Sequence, residues 1–228
     1  MKLDMVWIDL GNPYPRKQPN LYIPFDWPSG RILRLETPLN LPKDGFAEVV
    51  SLRRTYYKFG SLEFDRLSTL LWLSYRVQAW GHSSLGFPIT QRPVPSAGAI
   101  HPIHILLNLS FDSTWWRYDA QDHSLVEVFG KMNFLTDVRD ELNAVVPLEE
   151  ATVLLFVAEP GKTFSKYEHA CSLIWRDAGV LLGHLALTSA ALKLNFCPLG
   201  LTGQKWVSKL DKQGNLVGVG MALLGIPI

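Results

Sequence analysis

Residues 151–158, Ala-Thr-Val-Leu-Leu-Phe-Val-Ala, form an unbroken apolar run. Its length and β-branched content predict a strand, and with no charged side chain on either alternate the strand is buried on both faces. Whatever fold the chain adopts must therefore cover a sheet from two sides. Strands and helices interleave along the rest of the sequence without a regular βαβ beat, so the predicted class is α+β and not a doubly wound sheet.

The 228 residues suit one large domain or two small ones and are enough to bury a core. At 47% hydrophobic and 19% charged, the chain is not of the disordered class. The formal net charge is +1 with no basic stripe, which argues against a nucleic-acid partner. Cys171 and Cys197 are too few for a disulfide framework or a cysteine-built zinc site and are read as small buried hydrophobes. His101, His104, His169 and His184 lack the spacing and carboxylate company of a metal site. Asp4 and Asp9 interrupt any signal-peptide core, and the apolar stretch 178–192 is too short to span a bilayer. The expectation is a soluble, cytoplasmic protein with no membrane partner.

Residues 1–43 are proline-rich and aperiodic, and read as an arm that wraps the domain or a partner; residues 44–228 form the domain. Asp44 is placed to cap a helix through Phe46, Val49, Val50 and Leu52 that ends near Arg53-Arg54-Thr55. A second helix, about 62–79, buries Phe64, Leu67, Leu70, Leu71 and Ser74. After a polar loop at 81–86 and a strand at 103–109, the stretches 115–119 and 124–128 flank a turn at 120–122, a hairpin signal. A helix is expected over about 134–145. Ser165-Lys166-Tyr167-Glu168 matches a capping box, so a long helix is predicted from there to about Lys193. Along it Gly179, Gly183, Ala186 and Ala190 form one stripe of small side chains that lets another helix approach closely, from a second copy of the chain or within one subunit. Residues 196–203 read as a loop, followed by a short helix with Trp206 and Leu210, a turn at 211–215 and a final strand at 216–224.

One stretch stands out for chemistry. Pro95-Ser96-Ala97-Gly98-Ala99-Ile100-His101-Pro102 sets two prolines around small residues just before a strand. Backbone N–H groups there can approach a flat or anionic group without side chains in the way. By itself the octet is equally an ordinary loop-to-strand junction.

Taken together, Arg53-Arg54-Thr55, Leu70-Leu71-Trp72, Arg92-Pro93-Val94 with the octet, the hairpin Trp116-Arg117-Tyr118-Asp119 with His123 and Leu125, and Lys166-Tyr167 followed by Ala178-Gly179 resemble the flavin-dependent nitroreductase superfamily. Within it they are most similar to the SagB-type azoline (thiazoline/oxazoline) dehydrogenase branch. The resemblance spans about residues 45–225. It implies a nitroreductase-like fold, a mostly antiparallel central sheet flanked by helices, in an intertwined homodimer with FMN at the subunit interface.

By that resemblance Arg53, Arg54 and Thr55 hold the phosphate, with a solvated basic pair as the plain reading of the same residues. Pro95, Ser96, Ala97 and Gly98 lie at the isoalloxazine edge, and Leu199, Gly200 and Leu201 line its other face. Lys166 and Tyr167 match the pair to which the branch assigns acid–base work; a place in the first helical turn would turn both toward proton-accepting forms. The plain reading makes Lys166 a surface side chain and Tyr167 a core aromatic. Tyr57 stands where the family carries a further basic residue, the chain stops at Gly225-Ile226-Pro227-Ile228 without the usual basic tail, and Arg176-Asp177 replaces an apolar residue and glutamate.

The activity implied is oxidation of an azoline ring to an azole in a ribosomally made, modified peptide: a base removes the ring proton and hydride goes to flavin N5. The expected partners are a second copy, a peptide or small-molecule substrate, and a cyclodehydratase. Two alternatives stay open: a general NAD(P)H-dependent nitro or quinone reductase, or a flavin-poor scaffold subunit that binds a peptide or partner enzyme. Trp115 and Trp116, read as exposed-type aromatics, motivate the scaffold.

Overall fold

The apolar run is an inner strand of a seven-stranded antiparallel sheet in a computed structural model, which describes residues 8–128 and 137–228. In chain order the first strands are β1 (Tyr14–Pro15), β2 (Ile32–Arg34), β3 (Ala79–Gly81), β4 (Ile89–Gln91) and β5 (Ile103–Asn108). They are followed by β6 (Trp115–Asp119), β7 (Ser124–Glu127), β8 (Thr152–Ala158), β9 (Tyr167–Glu168), β10 (Asn195–Leu199) and β11 (Val217–Gly225). The described helices are α1 (Phe46–Leu52), α2 (Phe64–Tyr75), α3 (Asp137–Asn143), α4 (Pro160–Lys166), α5 (Cys171–Ala191) and α6 (Gln204–Leu210).

The main sheet runs β10-β11-β8-β5-β6-β7-β2, and two small ribbons pair β1 with β9 and β3 with β4. All seven residues of β8 are buried, as the run requires. Leu154, Phe156 and Ala158 face one core with Leu67, Leu70 and Leu71 of α2 and Ile174, Ala178, Leu181 and Leu185 of α5. Val153, Leu155 and Val157 face the other, with Val138 and Leu142 of α3, Trp206 and Val207 of α6, and Trp27. The α+β expectation holds, and the two layers on β8 give the physical reason for its composition.

Several expected boundaries move. Gly45, not Asp44, precedes α1, and no side chain caps it. The second helix stops at Tyr75, because 79–81 and 89–91 form a ribbon where a polar loop was expected. Residues 195–199 pair with 221–225 as a strand, not a loop. The expected helix at 134–145 is described as Asp137–Asn143, and its start, like residues 1–7, lies outside the described residues.

The largest correction concerns the capping box. Ser165 does not start a helix; it sits near the end of α4, its Oγ donating to the Lys162 carbonyl at 2.7 Å. Tyr167 and Glu168 are extended and pair with Pro15 and Tyr14. The long helix begins only at Cys171, which is exposed, contrary to its reading as a buried hydrophobe; Cys197 is buried as expected. A serine and a glutamate three apart satisfy the capping pattern, but the arm supplied a strand partner that local sequence could not reveal.

Residues 16–25 pack against residues 159–166 of the same chain. Arg16 and Asn20 donate backbone N–H groups to the carbonyls of Lys166 and Ser165 at 2.9 and 2.8 Å. Tyr22 lies so close over Gly161 that any Cβ there would collide with its ring. No described helix is long and apolar enough to cross a membrane.

Candidate functional site

The octet is a clamped turn. Ala97–Ala99 form one 3-10 turn in which Gly98 has φ 65, and Ala99 and His101 follow at φ 58 and 49. Left-handed backbone is free of strain at Gly98 but costs the two residues with a Cβ. What holds it is Asp177 of α5, itself 9% exposed. Its carboxylate accepts from Ser96 Oγ at 2.5 Å and from the Ala97 N–H at 3.2 Å, while Ser96 Oγ accepts from the His101 N–H at 3.0 Å. Burial raises the pKa of Asp177, and the bonds from Ser96 and Ala97 oppose that rise. The aspartate of the Arg176-Asp177 departure therefore has a use: it fixes the loop.

Lys166 and Tyr167 come to the same place. A Cβ built on Gly98 would lie 2.8 Å from Tyr167 Oη and 2.9 Å from Lys166 Nζ, so the bare backbone of the turn faces the polar ends of both side chains. Lys166 Nζ is 5.7 Å from the Tyr167 ring centroid. Neither residue opens a helix: Lys166 ends α4 and Tyr167 is its extended C-cap, so the helix-dipole argument does not apply. They are held by β1, with Tyr14 Oη donating to Glu168 at 2.8 Å, and by packing of Tyr167 on Leu85, Phe87 and Ile100.

The remaining expected cofactor residues lie elsewhere on the chain. Arg53 caps the C-terminus of α1, and Arg54 and Thr55 follow it, exposed. Arg54 Nη1 donates to the carbonyls of Ser51 and Arg53 at 2.9 and 2.8 Å. Arg54 lines a groove of about 280 Å³ with Tyr56, Ala186, Ala190 and Lys193. Lys193 is a second cation at this groove that the sequence reading did not single out. Leu201 lies in another depression beside Val145 and Trp206, with Gly200 exposed next to it. At 1.5 Å per residue, Asp177 and Ala190 are roughly 20 Å apart along α5. One chain therefore joins the octet to Lys166-Tyr167 and leaves the arginines at the far end of the same helix.

The helix between them is open. Gly179 and Gly183 have no atom within 4 Å of a would-be Cβ, and Trp175 and Val180 on α5 are 44% and 42% exposed. The glycine half of the small-residue stripe is thus unpacked within the chain. Trp115 and Trp116, by contrast, are 4% and 1% exposed, which corrects their reading as exposed aromatics and removes one motive for a scaffold.

Sequence reasoning missed a charged cavity of about 240 Å³ beside the octet. Its foundation is Glu159, fully buried at the end of β8, which takes Lys162 Nζ and His104 Nε2 at 2.9 Å each and the Phe25 N–H at 2.5 Å. Burial alone would raise this carboxyl, but His104's hydrogen bond and the Lys162 charge win and bring it to about 2. Burial and the charge of Lys162 hold His104 down to about 4, so the neutral imidazole donates through Nε2 and Lys162 carries the positive charge. His101 is held to about 3 by burial and by Arg92. The one sequence signal was a glutamate closing an otherwise apolar strand. Among the described residues no cluster of histidine, cysteine or carboxylate residues could hold a metal ion.

No family model matches the chain, and no curated protein matches its sequence. Solved structures do. A protein of Ralstonia eutropha JMP134 assigned to the nitroreductases is 19% identical, with a TM-score of 0.64 over 95% of this chain and 99% of that one. A chain of the E. coli microcin synthetase McbBCD complex, solved with truncated pro-MccB17 bound, is 13% identical, with a TM-score of 0.56 over 85% and 77%. A protein of Desulfovibrio desulfuricans assigned to the nitroreductases and solved with FMN is 14% identical, with a TM-score of 0.52 over 81% and 87%. The chain has the nitroreductase fold.

Proposed function

We propose that this nitroreductase-fold chain is an FMN-dependent oxidoreductase of the SagB type, and that it oxidises azoline rings in a peptide. The observation that carries the reading is the convergence of Lys166 Nζ and Tyr167 Oη on the bare backbone of Gly98. A proton-handling pair beside a turn with no side chain is what a flat redox ring and a ring-shaped substrate require. The bound flavin would supply the two-electron acceptor.

The chain's own residues do the rest. One member of the Lys166–Tyr167 pair, in its deprotonated form, receives the single proton from the substrate carbon, Ser96 to Gly98 present backbone and a hydroxyl to the flavin edge, and Asp177 keeps that turn rigid. Arg53, Arg54 and Thr55, with Lys193, suit the phosphate. Leu199, Gly200 and Leu201 suit the opposite face of the ring.

The roughly 20 Å between the two halves of this set supports a homodimer in which one copy supplies the arginines and its mate the turn. The exposed glycines of α5, flanked by Trp175 and Val180, offer a surface for that contact. The microcin synthetase neighbour, solved as a complex with a pro-peptide bound, motivates a peptide substrate and a cyclodehydratase partner.

The test begins with the visible absorbance of purified protein and continues with Lys166→Ala and Tyr167→Phe. Each variant should retain flavin and lose about 10²-fold or more in azoline oxidation. Colourless protein that cannot be reconstituted with FMN, or full activity in either variant, overturns the reading. A general nitro or quinone reductase is the second reading, motivated by the Ralstonia neighbour, with which nearly the whole of both chains aligns. Rapid reduction by NADH or NADPH together with inactivity on azoline peptides would select it.

A further inference from the structure

The cavity beside the octet has a composition that the reading above does not use. Three cations face it: Arg92, Arg117 and Lys162. Lys162 is matched by buried Glu159 at 2.9 Å, and Arg117 reaches Asp119 at only 4.0 Å. Arg92 has no carboxylate partner among the described residues. Its Nε donates to Thr90 Oγ1 at 3.1 Å and its guanidinium lies 4.5 Å over the Tyr75 ring. With His101 and His104 neutral, the cavity keeps one uncompensated positive charge. Burial lowers the pKa of both Lys162 and Arg117, and the charges of Arg92 and Arg117 lower Lys162 further, against the pull of Glu159.

The rest of the wall is mixed: Thr90, Gln121, the two histidines and Asp119, the carboxylate already counted against Arg117, on one part, and an apolar face on the other. Tyr75, Phe87, Ile100 and Ile103 are buried behind it, and half-exposed Trp80 on β3 stands at its edge. The hydroxyl of Tyr75 donates to the Ile103 carbonyl and that of Tyr118 is bonded to His123 Nδ1 at 2.8 Å, so both rings offer carbon and not oxygen. A cavity of about 150 Å³ accommodates benzene, and this one, at about 240 Å³, has room for a larger body. Guanidinium forks match the planar geometry of a carboxylate, and a single surplus charge matches a monoanion better than a phosphate dianion.

We propose that this cavity is a binding site for an organic monocarboxylate with a flat apolar body, its carboxylate held by Arg92 and Arg117 and its body against Tyr75, Phe87 and Ile100. The site is separate from the Arg54–Lys193 groove and does not depend on the flavin assignment.

The test is calorimetric titration of the full-length protein with 2-naphthoate, with uncharged 2-naphthamide and inorganic phosphate as comparisons. Naphthoate should bind at least about tenfold tighter than either, each tenfold being about 1.4 kcal/mol. Arg92→Gln should lose about tenfold for naphthoate with naphthamide unchanged, and Arg92→Lys, which keeps the charge but not the fork, should fall between. Should Arg92→Gln fail to fold by circular dichroism, the acid-against-amide comparison in the native protein decides alone. Equal affinity for acid and amide, phosphate binding as tight as naphthoate, or no saturable binding at millimolar concentration overturns the proposal.

Discussion

Asp177 offers a sharp test of how the octet is held. In Asp177→Ala, Ser96 Oγ and the Ala97 N–H lose their acceptor together. Hydrogen bonds to a charged acceptor contribute about 1.5–3 kcal/mol each, but Ser96 and Ala97 are half-buried and water can replace part of the loss, so the expected cost is about 2–3 kcal/mol. For a chain of 228 residues that is a fall in Tm of roughly 5–10 °C.

Asp177→Asn should behave differently. The carboxyl pKa is raised, so ionised Asp177 gives up stability that its protonated form would keep, and that loss grows as pH rises through the folded pKa. An amide avoids the burial of charge, still accepts from Ala97, and can donate to Ser96 Oγ. Its Tm should lie within about 3 °C of the parent at pH 7, corresponding to less than about 1 kcal/mol. Differential scanning calorimetry of the three proteins decides the matter. If Asp177→Ala unfolds with the parent, or Asp177→Asn falls as far as Asp177→Ala, the account of the clamp is wrong.

Glu159→Gln strands Lys162 beside His104 in a buried site and should cost about 3–5 kcal/mol by denaturant melt, with Glu159→Gln/Lys162→Met recovering a large part. His101 and His104 are held to about 3 and 4 in the folded chain, against 6.5 unfolded, so the unfolded state takes up protons first as pH falls. Stability is therefore full above pH 6.5 and drops below it by up to about 1.4 kcal/mol per pH unit for each histidine; a flat melt profile from pH 7 to 5 would contradict this. A Cβ on Gly183 meets no atom within 4 Å inside the chain, so the fold should tolerate Gly183→Leu; on the proposed homodimer, light scattering should show a monomer and absorbance a loss of flavin. A dimeric, yellow Gly183→Leu protein would remove α5 from the interface.

Much of this fold was legible because its signals are periodic. A short run without charge and rich in β-branched residues points to a strand covered twice, and the α2 face from Leu67 to Ser74 follows directly from helical spacing. What failed was decided across long sequence separations. Tyr167 and Glu168 are extended because Tyr14 and Pro15 arrive to pair with them, and Asn195–Leu199 is a strand because β11 lies alongside. The resemblance numbered candidate site residues that no periodicity marks. The octet and the Lys166-Tyr167 pair meet in the structure, although the helix-start argument made for the pair was incorrect. The Glu159 hub was opaque because, besides its local partner Lys162, it draws Phe25 and His104 from distant segments.

The pairing of β1 with β9 has a consequence for how the molecule assembles. Tyr14 and Glu168 are separated by 154 positions, and joining them closes a very long loop, so this ribbon has every reason to zip up after the main sheet has formed. Until then Tyr167 lacks the strand that holds it extended, and Lys166 lacks the backbone bond from Arg16. On the roles proposed for Lys166 and Tyr167, activity should therefore mature behind the architecture, appearing only once residues 14–16 have docked on 166–168.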